Sequence, residues 1–284
     1  WVAPLEHAGL GGRLAEIPPN GQGIAAQIAL GLLQHTDIAD HDPDGVRALH
    51  LQIEAMKLAM ADLAAHVGDP ATMRLAPADL LGADYLRERA RAIDPARAGD
   101  PGAGAPVPGG TVYLTAADAS GLMVSFIQSN YMGFGSGVVV PETGVSLQNR
   151  GAGFTLEAGH PNEVGPGKRP FHTIIPGFLR DAAGEPVMSF GVMGGPMQPQ
   201  GHVQMVLRTQ IYGQNPQAAS DAPRWRVTGG RGVALEVGFA AEVYEQLRGL
   251  GHEVTVEPPD AAFGFGGAQL IARVPAGYIA GSDG

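Results

Sequence analysis

One segment divides the sequence and limits the folds that the chain can adopt. Residues 95–110 read PARAGDPGAGAPVPGG and consist mainly of proline, glycine and alanine, with no hydrophobic periodicity. This composition is typical of a linker or a mobile loop rather than of a packed element. Helical patterns precede the segment, and mostly strand patterns follow it. Because helices and strands are segregated, the sequence favours an α+β architecture over a parallel sheet of alternating strands and helices.

The part before this segment, residues 1–94, is predicted to be helical. Apolar residues recur at helical spacing over 17–36, IPPNGQGIAAQIALGLLQHT, and over 42–70, DPDGVRALHLQIEAMKLAMADLAAHVGDP. Asp42 is the expected N-cap of the second of these helices. A third helix is expected over 77–93, where an early aspartate and late arginines suit the helix dipole.

The part after the segment, residues 111–284, is predicted to consist mostly of strands. VYLTAAD and LMVSFIQS flank an Asp/Ser/Gly turn at 118–121 and indicate a hairpin. Short strands are expected on both sides of PETG and of DAAGE, and later in EVTVE and AQLIARV. Two helices are expected among these strands, in HVQMVLRTQIYG and in GFAAEVYEQLRGLG.

Composition and charge exclude several classes of protein. The 284 residues are 44% hydrophobic and 16% charged, which is typical of a globular chain. A net charge of −10 argues against a nucleic-acid partner, and the absence of cysteine excludes disulfides and thiolate metal sites. No long apolar stretch or signal-peptide pattern is present, so no membrane partner is expected. The chain begins with Trp1, and we expect it to be part of a longer protein whose compartment, cytoplasmic or periplasmic/secreted, stays open.

Two glycines stand directly before Thr111, at the start of the first predicted strand. If the bond between Gly110 and Thr111 is cleaved, the threonine hydroxyl becomes a nucleophile whose own α-amine, with a pKa of about 8, is the base. Gly110 has no Cβ, which lets the backbone bend so that the hydroxyl reaches the preceding carbonyl. The alternative is an ordinary loop that enters a sheet, and these residues alone leave both interpretations open.

Other residues have the chemistry of a catalytic site. Gly194 and Gly195, in GVMGGP, follow a predicted strand and can present two backbone N–H groups to a developing oxyanion, although a tight turn is the simpler interpretation. Ser129 and Asn130 end another predicted strand, where the serine can contact the nucleophile and the asparagine the substrate. The histidines and aspartates of 35–42 lack a metal-site spacing and are interpreted as a solvated loop. Catalysis by a threonine hydroxyl and its own amine implies no metal or organic cofactor.

Taken together, several stretches resemble the γ-glutamyltranspeptidase family over nearly the whole chain. They are IPPNGQGIAAQIAL, GGT with the strand after it, GFGSGVVVPETGVSLQN, PNEVGPGKRP, SFGVMGG and ASDAPRWR, in this order. The resemblance implies an N-terminal nucleophile hydrolase, a four-layer αββα sandwich, incomplete here at its N-terminus. It also implies a precursor that cleaves itself between Gly110 and Thr111. Residues 1–110 would then end the large subunit, and 111–284 would form the small subunit.

The resemblance implies a role for individual residues as well. Thr111 matches the nucleophile, Ser129 the hydroxyl that contacts it, and the two glycines the pair that stabilises the oxyanion. The implied catalytic set is Thr111, Ser129, Gly194 and Gly195, and the implied substrate-binding set is Asn130, Tyr131, Arg150, His172 and Thr173. No metal ligand is implied.

Three positions depart from the family's pattern. Its transpeptidases have an asparagine where Tyr131 stands, an acidic residue where Gly153 stands, and a serine pair where His172 and Thr173 stand. Because charge-paired contacts are what would recognise a glutamyl head group, the sequence supports amide-hydrolase chemistry better than it supports one substrate.

The function expected from the resemblance is therefore γ-glutamyl transfer, as from glutathione, to water or to an amino acceptor. Two alternatives stay open, an acylase acting on other amides such as β-lactam side chains, and a relative that never matures and is not catalytic. The expected partners are a small amide or γ-glutamyl substrate and the missing N-terminal half of the large subunit, and a homo-oligomer is left open.

Overall fold

The computed structural model describes residues 1–101, 110–258 and 264–283. The strands are β1 (Leu5–Gly9), β2 (Gly12–Glu16), β3 (Gly110–Ala117), β4 (Met123–Tyr131), β5 (Gly177–Arg180), β6 (Pro186–Val192), β7 (Trp225–Gly229), β8 (Gly232–Glu236), β9 (Glu253–Glu257), β10 (Ala268–Val274) and β11 (Gly277–Ser282). The helices are α1 (Gly23–Leu33), α2 (Val46–His66), α3 (Pro77–Leu80), α4 (Ala83–Ala90), α5 (Met197–Val206), α6 (Pro216–Asp221) and α7 (Ala241–Gly249).

The largest sheet has six antiparallel strands in the order β1-β2-β5-β6-β10-β11. Its first two strands precede the proline- and glycine-rich segment and the other four follow it, so both parts of the chain build one sheet. A smaller sheet joins β7, β8 and β9, with β8 and β9 parallel. The remaining two strands, β3 and β4, form a separate antiparallel hairpin.

One face of the six-stranded sheet is covered by helices. Side chains of β6 alternate between the two faces, and Phe190 points toward α5, where its ring centroid lies 4.8 Å from that of His202. Helix α1 packs against α2 and α5 and is buried along its whole length, which explains why its sequence is almost entirely apolar. The hydrophobic core therefore lies between this helical layer and the sheet.

The β3–β4 hairpin packs against the opposite face of the same sheet. The hydroxyl groups of Thr115 and Ser189 form a hydrogen bond, and the ring of Tyr113 lies against Gly191, where a Cβ atom would collide with it. The helices, the six-stranded sheet and the hairpin are thus stacked as three successive layers, α, β and β. The predicted α+β sandwich of the N-terminal nucleophile hydrolase type is confirmed.

Several predicted elements differ from the observed ones. The part predicted as a helical tail also contains the β1–β2 hairpin, and the strands β7, β8 and β11 were not predicted. The strands expected around PETG reduce to one bridge between Val139 and Ser146. Helix α2 begins at Val46 with Gly45 as its N-cap, not Asp42, and the third predicted helix is interrupted between α3 and α4.

The predicted linker over 95–110 falls partly outside the described residues, which resume at Gly110 as the first residue of β3. The division of the chain into subunits at this point stays a prediction. Within the described parts of the chain, no helix is both long enough and apolar enough to cross a bilayer.

Candidate active site

Thr111 lies on the inward face of the hairpin. Side chains of β3 alternate, so that Thr111 and Tyr113 are buried while Val112 and Leu114 are exposed. Thr115 and Tyr113 contact Ser189 and Gly191, two successive inward positions of β6, and Thr111 is the next inward position of β3, toward the end of β6 that leads into the turn 193–195. We therefore expect the threonine to face the paired glycines.

A β-bulge sets the residues that lie opposite Thr111. Gly110 pairs with Tyr131 and Val112 pairs with Gln128, so Thr111 alone faces both Ser129 and Asn130. Bulges of this kind re-aim side chains and are frequent beside active sites. The structure thus places Thr111 opposite Ser129, which is predicted to contact the nucleophile, and Asn130, which is predicted to contact the substrate.

An open cleft of about 580 Å³ reaches Thr111 from the outside of the hairpin. Its lining combines polar and apolar side chains: Thr111, Val112, Leu114, Phe126, Gln128, Ser129, Asn130 and Gly133. A small organic molecule fits a space of this size.

Gly194 and Gly195 form the turn between β6 and α5. Both have positive φ, 122° and 60°, which favours glycine at each position. Their carbonyl groups accept hydrogen bonds from the amides of Met197 and Gln198, both at 3.1 Å. Neither glycine N–H has an acceptor among the described residues, and both lie at the N-terminal, positive end of a helix. This arrangement suits the stabilisation of a negatively charged oxygen.

Arg150 joins several of the predicted substrate-binding residues. Its Nη1 donates to Thr173 Oγ1 at 2.8 Å, its Nη2 donates to the Ser129 carbonyl at 3.4 Å, and its guanidinium lies 5.4 Å from the centre of the Tyr131 ring. Arg150 is only 2% exposed, and no carboxylate in the described parts of the chain pairs with it. A buried cation without a counter-ion is unusual and favours an anionic ligand.

His172 is neutral at pH 7 and therefore does not add a second positive charge to that of Arg150. Burial, and secondarily the nearby Arg150 charge, lower the pKa of His172 to about 4. Its backbone N–H donates to the Asn20 carbonyl at 3.0 Å, which holds it beside the loop that precedes α1. The predicted substrate-binding residues therefore carry one net positive charge, that of Arg150.

Tyr131 has a backbone conformation that a residue with a side chain rarely adopts. Its φ is 79°, and its N–H donates to Ser129 Oγ at 2.9 Å. Such outliers concentrate at functional sites, where the surrounding structure holds them. The Asn130 carbonyl accepts from the Asn149 amide at 3.2 Å, which connects this strand end to the turn that carries Arg150.

The amino-acid sequence matches the gamma-glutamyltranspeptidase family over residues 1–284. The chain belongs to this family. It is 39% identical over 276 residues to the oxamate amidohydrolase proenzyme of Klebsiella pneumoniae, covering 95% of this chain and 51% of that protein. It is 34% identical to the glutathione hydrolase-like YwrD proenzyme of Bacillus subtilis, covering 90% of this chain and 49% of that protein.

The crystal structure of a cephalosporin acylase from Bacillus halodurans superimposes with a TM-score of 0.91 at 46% identity, covering 100% of this chain and 51% of that one. This gamma-glutamyltranspeptidase-family chain thus spans about half the length of the relatives that it matches. The relatives named as proenzymes differ in the substrate that their names give, so membership of the family does not fix a substrate.

Gln22 is a residue of this gamma-glutamyltranspeptidase-family site that the sequence analysis did not single out. Its side-chain amide is completely buried and donates to the Thr173 carbonyl at 2.6 Å and to the Gly195 carbonyl at 2.8 Å. The signal available in the sequence was a polar residue between two glycines at the entrance of an otherwise apolar helix.

A second polar cluster lies on α2 and just before β9. His50, Glu54 and His252 place potential metal ligands within 4.8 Å of one another. The ammonium of Lys57 lies among them, 2.9 Å from Glu54 Oε1 and 3.0 Å from the Gly99 carbonyl. A cation is therefore already present as a side chain. Through Gly99 the cluster joins α2 to the first part of the predicted linker.

Proposed function

We propose that this chain belongs to an amide hydrolase that acts through Thr111 after self-cleavage between Gly110 and Thr111. The observation that carries the proposal is the position of Thr111, opposite Ser129 and Asn130 in a β-bulge and on the face of the hairpin that packs against β6, the strand that leads into the Gly194–Gly195 turn. Membership of a family whose relatives include hydrolase proenzymes supports it.

Self-cleavage in this proposal starts with attack of Thr111 Oγ on the carbonyl carbon of Gly110. The C–N bond breaks, the hydroxyl proton passes to the departing nitrogen, and the acyl group moves from nitrogen to oxygen. Water then hydrolyses the resulting ester, which leaves a carboxylate on Gly110 and a free α-amine on Thr111.

Turnover uses the same oxygen and the new amine. The α-amine takes the proton as Thr111 Oγ attacks the amide carbonyl of the substrate, and the N–H groups of Gly194 and Gly195 stabilise the tetrahedral oxyanion. The C–N bond breaks and the amine product leaves with the proton. Water, or an amine acceptor, then releases the acyl group from the threonine ester, and the proton returns to Oγ.

The acyl donor in this proposal carries a carboxylate that pairs with Arg150, because the described residues give this buried cation no counter-ion. A γ-glutamyl group, as in glutathione, has such a carboxylate. It also has an α-amine, and the position where the family's transpeptidases have a carboxylate for that amine is Gly153. The glycine at this position favours, as a second candidate, a donor that has the carboxylate but not the amine, such as oxamate or a glutaryl cephalosporin.

The proposed partner of this chain is the remaining half of the full-length protein. Val112, Leu114, Val124 and Phe126 form an apolar outer face on the β3–β4 hairpin, and they are between 40% and 66% exposed. A patch of this kind marks a surface that another element covers. Covering it would also close the cleft that leads to Thr111.

The test is hydrolysis of an amide panel by the full-length protein: L-γ-glutamyl-p-nitroanilide, glutathione, oxamate and a glutaryl cephalosporin. The parent is expected to hydrolyse at least one of them, and Thr111→Ala to lose at least about 10³-fold of that rate because it has no nucleophile. Thr111→Ser, which keeps a hydroxyl, should retain measurable activity. A parent that hydrolyses none, or an active Thr111→Ala, would overturn the proposal in favour of a relative that is not catalytic or that uses another nucleophile.

A further inference from the structure

We infer that Gln22 is a positioning residue that holds the Gly194–Gly195 turn and the Arg150 region in fixed relation to each other. The inference rests on the proposed function, since it assigns the two regions to oxyanion stabilisation and substrate binding. It concerns a residue that does not itself contact the reacting atoms.

The contacts of Gln22 connect segments that are far apart in the sequence. One nitrogen, Nε2, donates to the carbonyl groups of both Thr173 and Gly195, 151 and 173 residues away. Thr173 in turn accepts from Arg150 through its hydroxyl. A single buried amide therefore joins the glycine turn to the residue that carries the positive charge.

The backbone beside Gln22 is held as firmly as its side chain. Its own N–H donates to the His172 carbonyl at 3.0 Å, and the His172 N–H donates to the Asn20 carbonyl at 3.0 Å. Gly21 and His172 form a parallel bridge, and Asn20 Nδ2 donates to the Pro170 carbonyl at 2.5 Å. The loop 20–22 thus forms a rigid base from which the amide extends.

The effect on Gly195 follows from the geometry of a peptide turn. Its carbonyl accepts from both Gln22 Nε2 and the Gln198 amide, so the peptide group on that side has a fixed orientation. This peptide group is the one to Pro196, and the N–H groups of Gly194 and Gly195 belong to the two peptide groups before it. Anchoring the carbonyl therefore restricts the rotation of Gly195, the residue that carries one of the two N–H groups. Without Gln22 the carbonyl would lose one of two donors, and a glycine turn with positive φ is free to rotate.

The chain provides a matched control in Gln27, on helix α1, of which Gln22 is the N-cap. Gln27 is also completely buried, and its Nε2 also donates to two backbone carbonyls, Leu5 at 2.7 Å and Leu14 at 3.0 Å. In both glutamines the Oε1 atom has no partner among the described residues. The two differ in what they join, since Gln27 ties α1 to the β1–β2 hairpin and Gln22 ties it to the site.

The experiment compares Gln22→Met with Gln27→Met in the full-length protein, using the panel amide that the parent hydrolyses fastest. Both variants lose two buried donors and should lower the melting temperature by similar amounts. Only Gln22→Met should lower kcat, by roughly 10- to 100-fold, because small displacements of catalytic groups have effects of this size. Its KM should change less than kcat, because the substrate still finds Arg150.

The positioning role is overturned if Gln22→Met and Gln27→Met have the same kcat, whether both keep the parent's value or both lose the same fraction of it. If Gln22→Met does not fold, Gln22→Asn, which keeps an amide but withdraws it by one methylene group, is measured in its place with the same two outcomes. Thr111→Ala is assayed in parallel. Activity in Thr111→Ala overturns the proposed function itself, whereas an inactive Thr111→Ala with a normal Gln22→Met overturns only the inference about Gln22.

Discussion

Arg150 is the residue on which the choice of substrate depends in this account. It is buried, donates to Thr173 and Ser129, and has no carboxylate partner in the described part of the chain. Arg150→Met should therefore lower kcat/KM for an anionic amide by about 10- to 100-fold, the effect of losing a charge-assisted hydrogen bond. For an uncharged amide of the same size the change should be only a few-fold.

The measurement is kcat/KM for oxamate and for its uncharged analogue oxamide with the full-length parent and Arg150→Met, provided that oxamate is a substrate. With a γ-glutamyl substrate, the matched pair is the free acid and its α-amide. Equal losses for the charged and uncharged members of the pair would contradict a role for Arg150 in charge recognition.

His172 predicts how stability depends on pH. Its pKa of about 4 in the folded protein lies below the ordinary value of 6.5, so the unfolded chain binds the proton more tightly. Stability should be fully present above pH 6.5 and should fall as the pH is lowered from about 6.5 to about 4. In the uncut Thr111→Ala protein, His172→Gln should make this fall in melting temperature shallower.

In His172→Gln the melting temperature should still fall to some extent as the pH is lowered. Burial, with the charges of Lys57 and then His50 as lesser causes, lowers the pKa of His252 to about 3, which acts in the same direction. If the melting temperature depends on pH in the same way in the Thr111→Ala protein with and without His172→Gln, this histidine does not titrate as described.

The candidate site was predictable from the sequence where its residues have distinctive types and local neighbours. Thr111 follows two glycines, and Gly194 and Gly195 follow a strand, so both could be located from the residues and the resemblance. Gln22 could not, because its role depends on carbonyl groups that are more than 150 residues away in the chain. Side-chain contacts with distant backbone groups leave no periodicity in the sequence.

At the scale of elements, strands with local partners were easier to predict than strands with distant ones. The β3–β4 hairpin and the β5–β6 pair have short turns and alternating residues, and both were predicted. The β1–β2 hairpin was not, because its short strands are stabilised by pairing with β5, which lies more than 160 residues later. The break between α3 and α4 lies at Gly82, whose backbone is extended rather than helical, and one glycine inside a helical pattern is only a weak signal of such a break.

The contact between β3 and β6 is the element-scale feature that positions Thr111. Gly191 leaves the space that the Tyr113 ring occupies, so Gly191→Ala should push the ring and β3 away and destabilise the protein by about 1–3 kcal/mol. Self-cleavage should slow as well, since Thr111 is on the same strand. The measurements are denaturant unfolding of the Thr111→Ala protein and the rate of chain cleavage in the parent background.

Two further variants show whether this effect is specific to the contact. Gly249→Ala, at the end of α7, adds a Cβ that meets no atom within 4 Å, so it should leave cleavage unchanged and should not destabilise the protein, since alanine favours a helix over glycine by up to about 1 kcal/mol. Adding Tyr113→Leu to Gly191→Ala should cost less than the sum of the two single changes. Simple additivity would mean that the ring and the glycine are not coupled.

At the scale of the whole molecule, the outer face of the hairpin predicts a difference between this chain and the full-length protein. Residues 1–284 alone should bind an apolar fluorescent dye more strongly, because Leu114 and Phe126 are exposed. Replacing both with threonine should reduce dye binding by the isolated chain, whereas Ile279→Thr, which changes an exposed apolar residue of β11, should have little effect on it. Equal dye binding by the full-length protein and the isolated chain would contradict a covered face.

The most direct test of the central claim is intact-mass spectrometry of the full-length protein after purification and incubation. The account predicts that the parent separates into two polypeptides, with the smaller one beginning at Thr111, and that Thr111→Ala stays in one piece under the same conditions. A folded parent that stays uncut, or a cut at any other bond, would contradict the assignment of Thr111 as the N-terminal nucleophile.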